Sequence, residues 1–283
     1  MAFRIIEGRH GRFACLTGDT TIARAIETSG GFAESEVGIL TALAKPGDTV
    51  VDVGANIGAM AVPLARRVGP SGRVIAFEPM PPTFLCLCAN AVLNDLPWIE
   101  PRREALGATV GEIALPPLDP AAPGNHGAVR LRDTIPPRDS AGEAGRTALR
   151  PLDALGLDAL ALLKVDAEGM DWAVLDGARE TVARCRPAIY VEAGRDTAAR
   201  AAGISSLQAQ GWTWFWHFAR FVEPATLPEG VPDPFPGVGD ANLLALPPGH
   251  GARHNLAPVS APDADWRADI AAHRRRAAEA SGH

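Results

Sequence analysis

The 283 residues carry a formal charge of −6, with 47% apolar and 21% charged residues, the balance of a soluble globular domain with a sizeable core. A mildly acidic chain has no general electrostatic pull toward nucleic acid or an anionic membrane, so neither is an expected partner. The opening MAFRIIEGRHGRF is too polar for a secretory signal and no apolar run approaches the roughly 20 residues of a membrane span. Cys15, Cys86, Cys88 and Cys185 form no C-x-x-C pair, so a reduced, cytoplasmic setting is expected.

From about residue 34, short apolar runs alternate with helical stretches. ESEVGILTALA spaces Val37, Leu40, Leu43 and Ala44 along one helical face and is stopped by KPGD. TVVDVG is a β-branched strand, and IGAMAVPLARRVG predicts a helix to Gly69, with Pro63 in its first turns where a missing N–H costs less. GRVIAFEP predicts a second strand and PTFLCLCANAVLND a second helix, and WIEPRREALG and EIALPP suggest further strands. ALALLKVD is a strand, MDWAVLDGARETVARCR one helix stopped before Pro187, and PAIYVEAG another strand. This alternation predicts an α/β fold: a doubly wound, mostly parallel sheet with helices on both faces. Residues 116–150, rich in Pro, Gly, Ala and Arg, read as a long surface excursion. Residues 251–283 read as a polar tail whose HRRR run is a solvated helix face.

The strongest local signal is VVDVGANIGAM, residues 50–60: buried strand, glycine turn, helix. Gly54 permits positive φ and leaves room for a ligand, Asn56 suits a left-handed position, and Gly58 allows close helix packing. Such a loop is expected to offer free amides and a positive helix end to a ligand. A nicotinamide site prefers G-x-G-x-x-G, whereas this loop reads G-x-N-x-G behind an acid, Asp52. Glu78, ending the next strand, is placed to accept both hydroxyls of a ribose. An acid before the loop repels a pyrophosphate but tolerates an amino acid and a sulfonium, which favours S-adenosylmethionine over NAD.

LLKVDAEGMDW, residues 162–172, sets Lys164, Asp166 and Glu168 in alternate positions where a strand leaves the core. Strand periodicity puts Lys164 and Asp166 on one side. They read either as a base or clamp for a second substrate, with Lys164 holding the carboxylates ionised, or as an ion pair with Glu168 capping a helix.

Three blocks resemble the FkbM-type S-adenosylmethionine-dependent methyltransferases: FAESEVGILTALAKPGDTVVDVGANIGAMAVPLA, GRVIAFEPMPPTFLCLCANAVLN and LLKVDAEGMDWAVLDGARETVARCRPAIYVE. GNHGAVRL is similar to a middle block and DANLLALP to a closing strand, so the resemblance runs over residues 29–247 in order. It implies a domain at 29–250, flanked by a lead segment (1–28) and the 251–283 tail. It also implies a Rossmann-like class I methyltransferase fold and O-methylation of a hydroxyl on a small natural product or saccharide. Carried over, Asp52, Gly54, Ala55, Asn56 and Gly58 would line the methionine end of the cofactor, and Glu78 would hold its ribose. Pro79 and Met80 would cover the adenine, with Glu104 and Ala105 at its edge.

Asp166, Glu168, Lys164 and, from the long loop, His126 are the candidates for catalysis. Glu192, at the end of IYVE, reads equally well as a structural acid. His217 lies in GWTWFWHFARF, whose aromatics could wall an acceptor pocket or form plain core. His250 and His254 sit in a non-helical stretch unsuited to zinc, and no Asp-Asn pair stands beside Asp166, so no metal is expected. An NAD-dependent oxidoreductase and a non-catalytic cofactor-binding module are the alternatives. Composition leaves a homo-oligomer open.

Overall fold

The computed structural model describes residues 2–129, 145–252 and 254–281. A hairpin, β1 (Phe3–Gly8) and β2 (Gly11–Leu16), precedes α1 (Ile22–Ser29) and α2 (Glu34–Leu43). Then come β3 (Thr49–Val53), α3 (Ala61–Val68), β4 (Arg73–Phe77), α4 (Pro81–Leu93) and β5 (Ile99–Arg102). Three short strands follow: β6 (Ala105–Leu106), β7 (Gly111–Ala114) and β8 (Arg146–Arg150). The second half holds β9 (Leu162–Val165), α5 (Asp171–Asp176), α6 (Arg179–Cys185), β10 (Ala188–Glu192) and α7 (Thr197–Gln208). It closes with β11 (Thr213–Arg220), β12 (Gly239–Leu246), β13 (Ala257–Pro258) and α8 (Trp266–Ser281).

Eight strands form one sheet in the order β13-β11-β12-β10-β9-β3-β4-β5. The five strands from β10 to β5 run parallel, and β12, β11 and β13 add an antiparallel edge. From β3 the chain first builds outward through β4 and β5, then returns to place β9 on the other side of β3. That reversal is the topological switch point, where open α/β sheets leave a crevice beyond the strand ends.

Alternation along the strands sends side chains into two separate cores. Val50, Ala76, Leu162, Tyr190 and Leu244 pack with Leu40, Leu64 and Leu87 on one face. Val51, Val53, Leu163, Val165 and Ile189 pack with Trp172, Val174 and Ile204 on the other. Register places Asp52 beside Lys164 and Lys164 beside Tyr190, so one polar row crosses the first face.

The elements depart from the sequence reading in four places. The helix expected over 170–186 is two helices, because the Asp153 amide donates to the Gly177 carbonyl (2.9 Å) and leaves no room to continue. The Asp153 carboxylate then accepts from the amides of Glu180 (3.0 Å) and Thr181 (2.8 Å), starting α6. GWTWFWHFARF holds β11, a strand of the antiparallel edge, with Trp214 and Trp216 buried. The excursion ends in β8, which pairs with β6 and β7, and its residues 130–144 lie outside the described residues. The tail is docked: Trp266 stacks on Phe218 at 5.1 Å, and Asp269 of α8 accepts from the Trp216 indole (2.9 Å). The lead segment is held equally firmly. Asn90 of α4 accepts from the Ala14 amide (2.6 Å) while donating to the carbonyls of Ala14 (3.0 Å) and Ile57 (2.7 Å).

Candidate active site

A cavity of about 360 Å³ opens at the switch point, within the range of small-ligand clefts. Its wall draws together Gly54, Ala55 and Asn56 after β3 with Glu78, Pro79 and Met80 after β4. Glu104 and Ala105 join them, and Lys164, Asp166 and Glu168 come from β9 and the turn beyond it. Asp52 and Gly58 lie behind this wall, Gly58 against Leu87.

The β3 loop is built differently from the sequence expectation. Gly54 has φ +76°, and the space it frees is taken by the Asp166 carbonyl oxygen, not by a ligand. Its amides are not free either. Those of Gly54 and Ala55 donate to the Phe77 carbonyl, Asn56 to Glu78 (2.8 Å), Ile57 to the Asn56 side chain (2.7 Å) and Gly58 to the Ala55 carbonyl. Five consecutive amides engaged inside the fold cannot cradle a pyrophosphate, which removes the chemical basis of a dinucleotide loop.

Glu78 anchors the loop. Oε2 accepts from Asn56, while Oε1 accepts from the Met80 amide (2.9 Å) and the Thr83 hydroxyl (2.8 Å). A carboxylate offers about four lone-pair sites, so about one remains for a ligand rather than the two of a bidentate grip. Burial pushes this carboxyl up to about 7 despite the three hydrogen bonds.

The charges of LLKVDAEG divide by depth. Lys164 is 3% exposed, with Nζ 3.4 Å from Asp52 and 3.5 Å from Asp166, whose side chain is 43% exposed. Burial alone would lower the lysine, but Asp52, then Asp166 and Glu36, outweigh it and hold it above the ordinary lysine value. Asp171, the first residue of α5, holds the turn before its own helix by accepting from the amides of Ala167 (2.7 Å) and Gly169 (3.1 Å). Glu168, at φ +46°, turns toward the cavity. Asp166, Asp171 and Glu192 bring one carboxylate oxygen each within 4.8 Å of the others, a group with the donor chemistry for a metal ion. Burial, then Asp166 and Asp171, push Glu192 up to about 9.

Residues 52–207, more than half of the chain, match the methyltransferase FkbM domain family. The chain belongs to this family. Methyltransferase sdnD of Sordaria araneosa is 31% identical over 158 residues, 46% of this chain, and the chain spans 60% of that relative's length. Among solved structures, methyltransferase FkbM from Methylobacillus flagellatus is similar at 18% identity and TM-score 0.45, over 70% of this chain and 43% of its own. TYW2 of M. jannaschii, solved with AdoMet, is similar at 16% identity and TM-score 0.43, over 86% of this chain and 85% of its own.

S-adenosylmethionine is the cofactor of the FkbM domain, and the residues present fit it. Glu78 retains acceptor capacity beside the loop, and the apolar side chains of Met80, Ala105, Leu106 and Met170 line the same cavity, where an adenine ring would find apolar contact. When bound, this cofactor supplies a methyl group already activated on a sulfonium.

The rest of the FkbM domain's cavity holds groups that the sequence reading passed over. Glu36 from α2, Asp240 and Asn242 from β12, and Phe32 and Phe221, with ring centroids 5.2 Å apart, all line it. Burial pushes Glu36 up to about 8 and Asp240 up to about 6, with Asp166 adding to both. Glu36 had a legible signal: it precedes Leu40 by four and Leu43 by seven, a core position held by an acid. His126 lines the cavity too. Its Nε2 lies 3.2 Å from the Asp119 carbonyl, on a loop hydrogen-bonded to Gly18 and Thr20. His217 is off the wall, hydrogen-bonded to the Tyr190 hydroxyl at 2.7 Å, and burial lowers it to about 4. His254 packs edge-on to Phe215.

Proposed function

We propose that this protein is an S-adenosylmethionine-dependent O-methyltransferase acting on a hydroxyl of a small natural product or saccharide. The observation that carries the reading is one cavity at the switch point with two unlike halves. One is the hydrogen-bonded wall of Glu78 and the β3 loop, and the other is ringed by Glu36, Asp166, Glu192 and Asp240. A hydroxyl nucleophile must lose its proton as it attacks, and carboxylates beside it promote that. A neutral acceptor held in line with the methyl group needs little else from the protein. Asp166 and Glu168 are proposed to contact the acceptor, with Lys164 paired to Asp166 at 3.5 Å. Glu78 is proposed to hold the ribose through its remaining lone pair. Among the described residues no helix is long and apolar enough to cross a membrane. The four cysteines are unpaired thiols, which supports a reducing cytoplasm as the place of action.

The test is calorimetry with S-adenosylhomocysteine, S-adenosylmethionine and NAD, followed by transfer of a radiolabelled methyl group to a panel of saccharides and phenols. Binding of the two methyltransferase ligands and label in an alkali-stable ether is the expected result. Binding of NAD alone would overturn the reading.

A further inference from the structure

The carboxyls on the cavity wall differ in what satisfies them. Glu78 has three hydrogen bonds, Glu104 is 2.8 Å from the Arg150 guanidinium, and Asp166 is 3.5 Å from Lys164. Glu36 is 8% exposed and, among the described residues, has neither a hydrogen bond nor an ion pair. A buried carboxyl without a partner is costly, and nothing in the fold uses this one. It nevertheless sits on a rigid mount. Val37, Leu40 and Leu43 are buried on the same helix, and the Ala33 amide donates to the Phe221 carbonyl (3.0 Å), tying the start of α2 to the end of β11. The partner for Glu36 must therefore come from the cavity it faces.

We propose that Glu36 is the general base of the transfer, taking the proton of the acceptor hydroxyl in this cavity. The inference rests on the O-methyltransferase reading above. As the acceptor oxygen forms its bond to the methyl carbon, its O–H proton passes to the Glu36 carboxylate. The electron pair of the breaking S–CH₃ bond stays with sulfur in the departing thioether.

The surroundings suit a base that works near neutrality. Lys164 is the cation facing Glu36, while Asp52 and Asp166 from the centre of the sheet, Asp240 from β12 and the Tyr190 hydroxyl face it as well. Burial raises the carboxyl, Lys164 pulls it back, and the neighbouring carboxylates add, leaving it at about 8. Two other cavity carboxyls lack a hydrogen bond or ion pair among the described residues: Glu192 lies among Asp166, Asp171 and Asp240 and is pushed further, to about 9, whereas burial and Asp166 raise Asp240 only to about 6. Asp166 is half solvated and already committed to Lys164.

Glu36→Gln keeps the shape and removes the base, and Glu36→Asp is the conservative control. With an acceptor from the saccharide and phenol panel, Glu36→Gln is expected to lose about 100-fold or more in kcat. KM and the affinity for S-adenosylhomocysteine should stay within about twofold, and the acidic limb of the kcat–pH profile, where the Glu36 carboxylate takes up a proton, should disappear. Glu36→Asp should restore part of the rate and the limb. A Glu36→Gln enzyme with the wild-type kcat and pH profile overturns the proposal. A tenfold loss of S-adenosylhomocysteine affinity also overturns it, since Glu36 would then belong to the cofactor wall. A second readout needs no acceptor: carbon-13 carboxyl NMR of the full-length protein, with the Glu36 resonance identified by its absence in Glu36→Gln. Titration between about pH 7 and pH 9 supports the proposal, and a Glu36 ionised throughout that range and down to pH 6 overturns it. If wild-type protein labels nothing on the panel, the O-methyltransferase reading fails on its own, and the NMR titration still judges Glu36.

Discussion

The two halves of the cavity are opposite solutions to the burial of polar groups. On the cofactor side every amide from Gly54 to Gly58 and most of the Glu78 carboxylate are satisfied within the protein. On the other side Glu36, Glu192 and Asp240 line the same cavity, each raised by burial and by Asp166. The first half is rigid before any ligand arrives. The second stores unfavourable desolvation that a ligand or a proton can relieve. Rigidity suits a ligand that is the same in every turnover, and titratable carboxyls suit the half where a proton must move.

The largest break in this contrast should come at the seam between the halves. Gly54→Ala places a methyl group on the Asp166 carbonyl oxygen at a left-handed φ. The outcome expected is loss of soluble folded protein, and a variant with the wild-type Tm would show that the two loops do not touch. Next is Lys164→Met, which strands Asp52 at the centre of the sheet. Denaturant unfolding should register a loss of about 3–5 kcal/mol, which the double variant Asp52→Asn/Lys164→Met should partly recover.

Within the cofactor half, Glu78→Gln should weaken S-adenosylhomocysteine binding by about 1.5–3 kcal/mol, the value of a hydrogen bond to a charged group. Affinity unchanged by calorimetry would mean that Glu78 serves only Asn56, Met80 and Thr83. The smallest effect is on pH dependence. Glu36, Glu78 and Glu192 have folded values of about 8, 7 and 9 against an ordinary 4.5. The folded state therefore binds these protons more tightly than the unfolded chain does. The stability they confer is complete below about pH 4.5 and is lost as pH rises through their folded values. Tm should fall between pH 6 and pH 9, and Glu192→Gln should flatten that slope. A Tm that rises over the same interval would contradict the raised values.

The order of strands and helices was legible because buried parallel strands and amphipathic helices write themselves in period and length. TVVDVG, GRVIAFEP and ALALLKVD each became the strand they suggested. The break at Gly177 was not legible, since its cause, Asp153, lies outside the helix pattern it interrupts. Nor was β11, because its four aromatics and His217 alternate between faces that only its neighbours define.

Of the site, the sequence by itself determined which charges lie in or just after the central strands: Asp52 and Lys164 within them, Glu78 and Asp166 where they run out into a crevice. Family membership followed from the same blocks. Only the tertiary structure decided what those groups do for one another. Gly54 turned out to clear a path for the Asp166 carbonyl, Asp171 fastened the turn that carries Glu168, and Glu36 came from a helix far along the chain to the cavity of Lys164. The physical reason is range. Periodicity reports which side of an element is buried, whereas a hydrogen bond, an ion pair or a desolvated carboxyl depends on partners brought within a few ångströms by the whole fold.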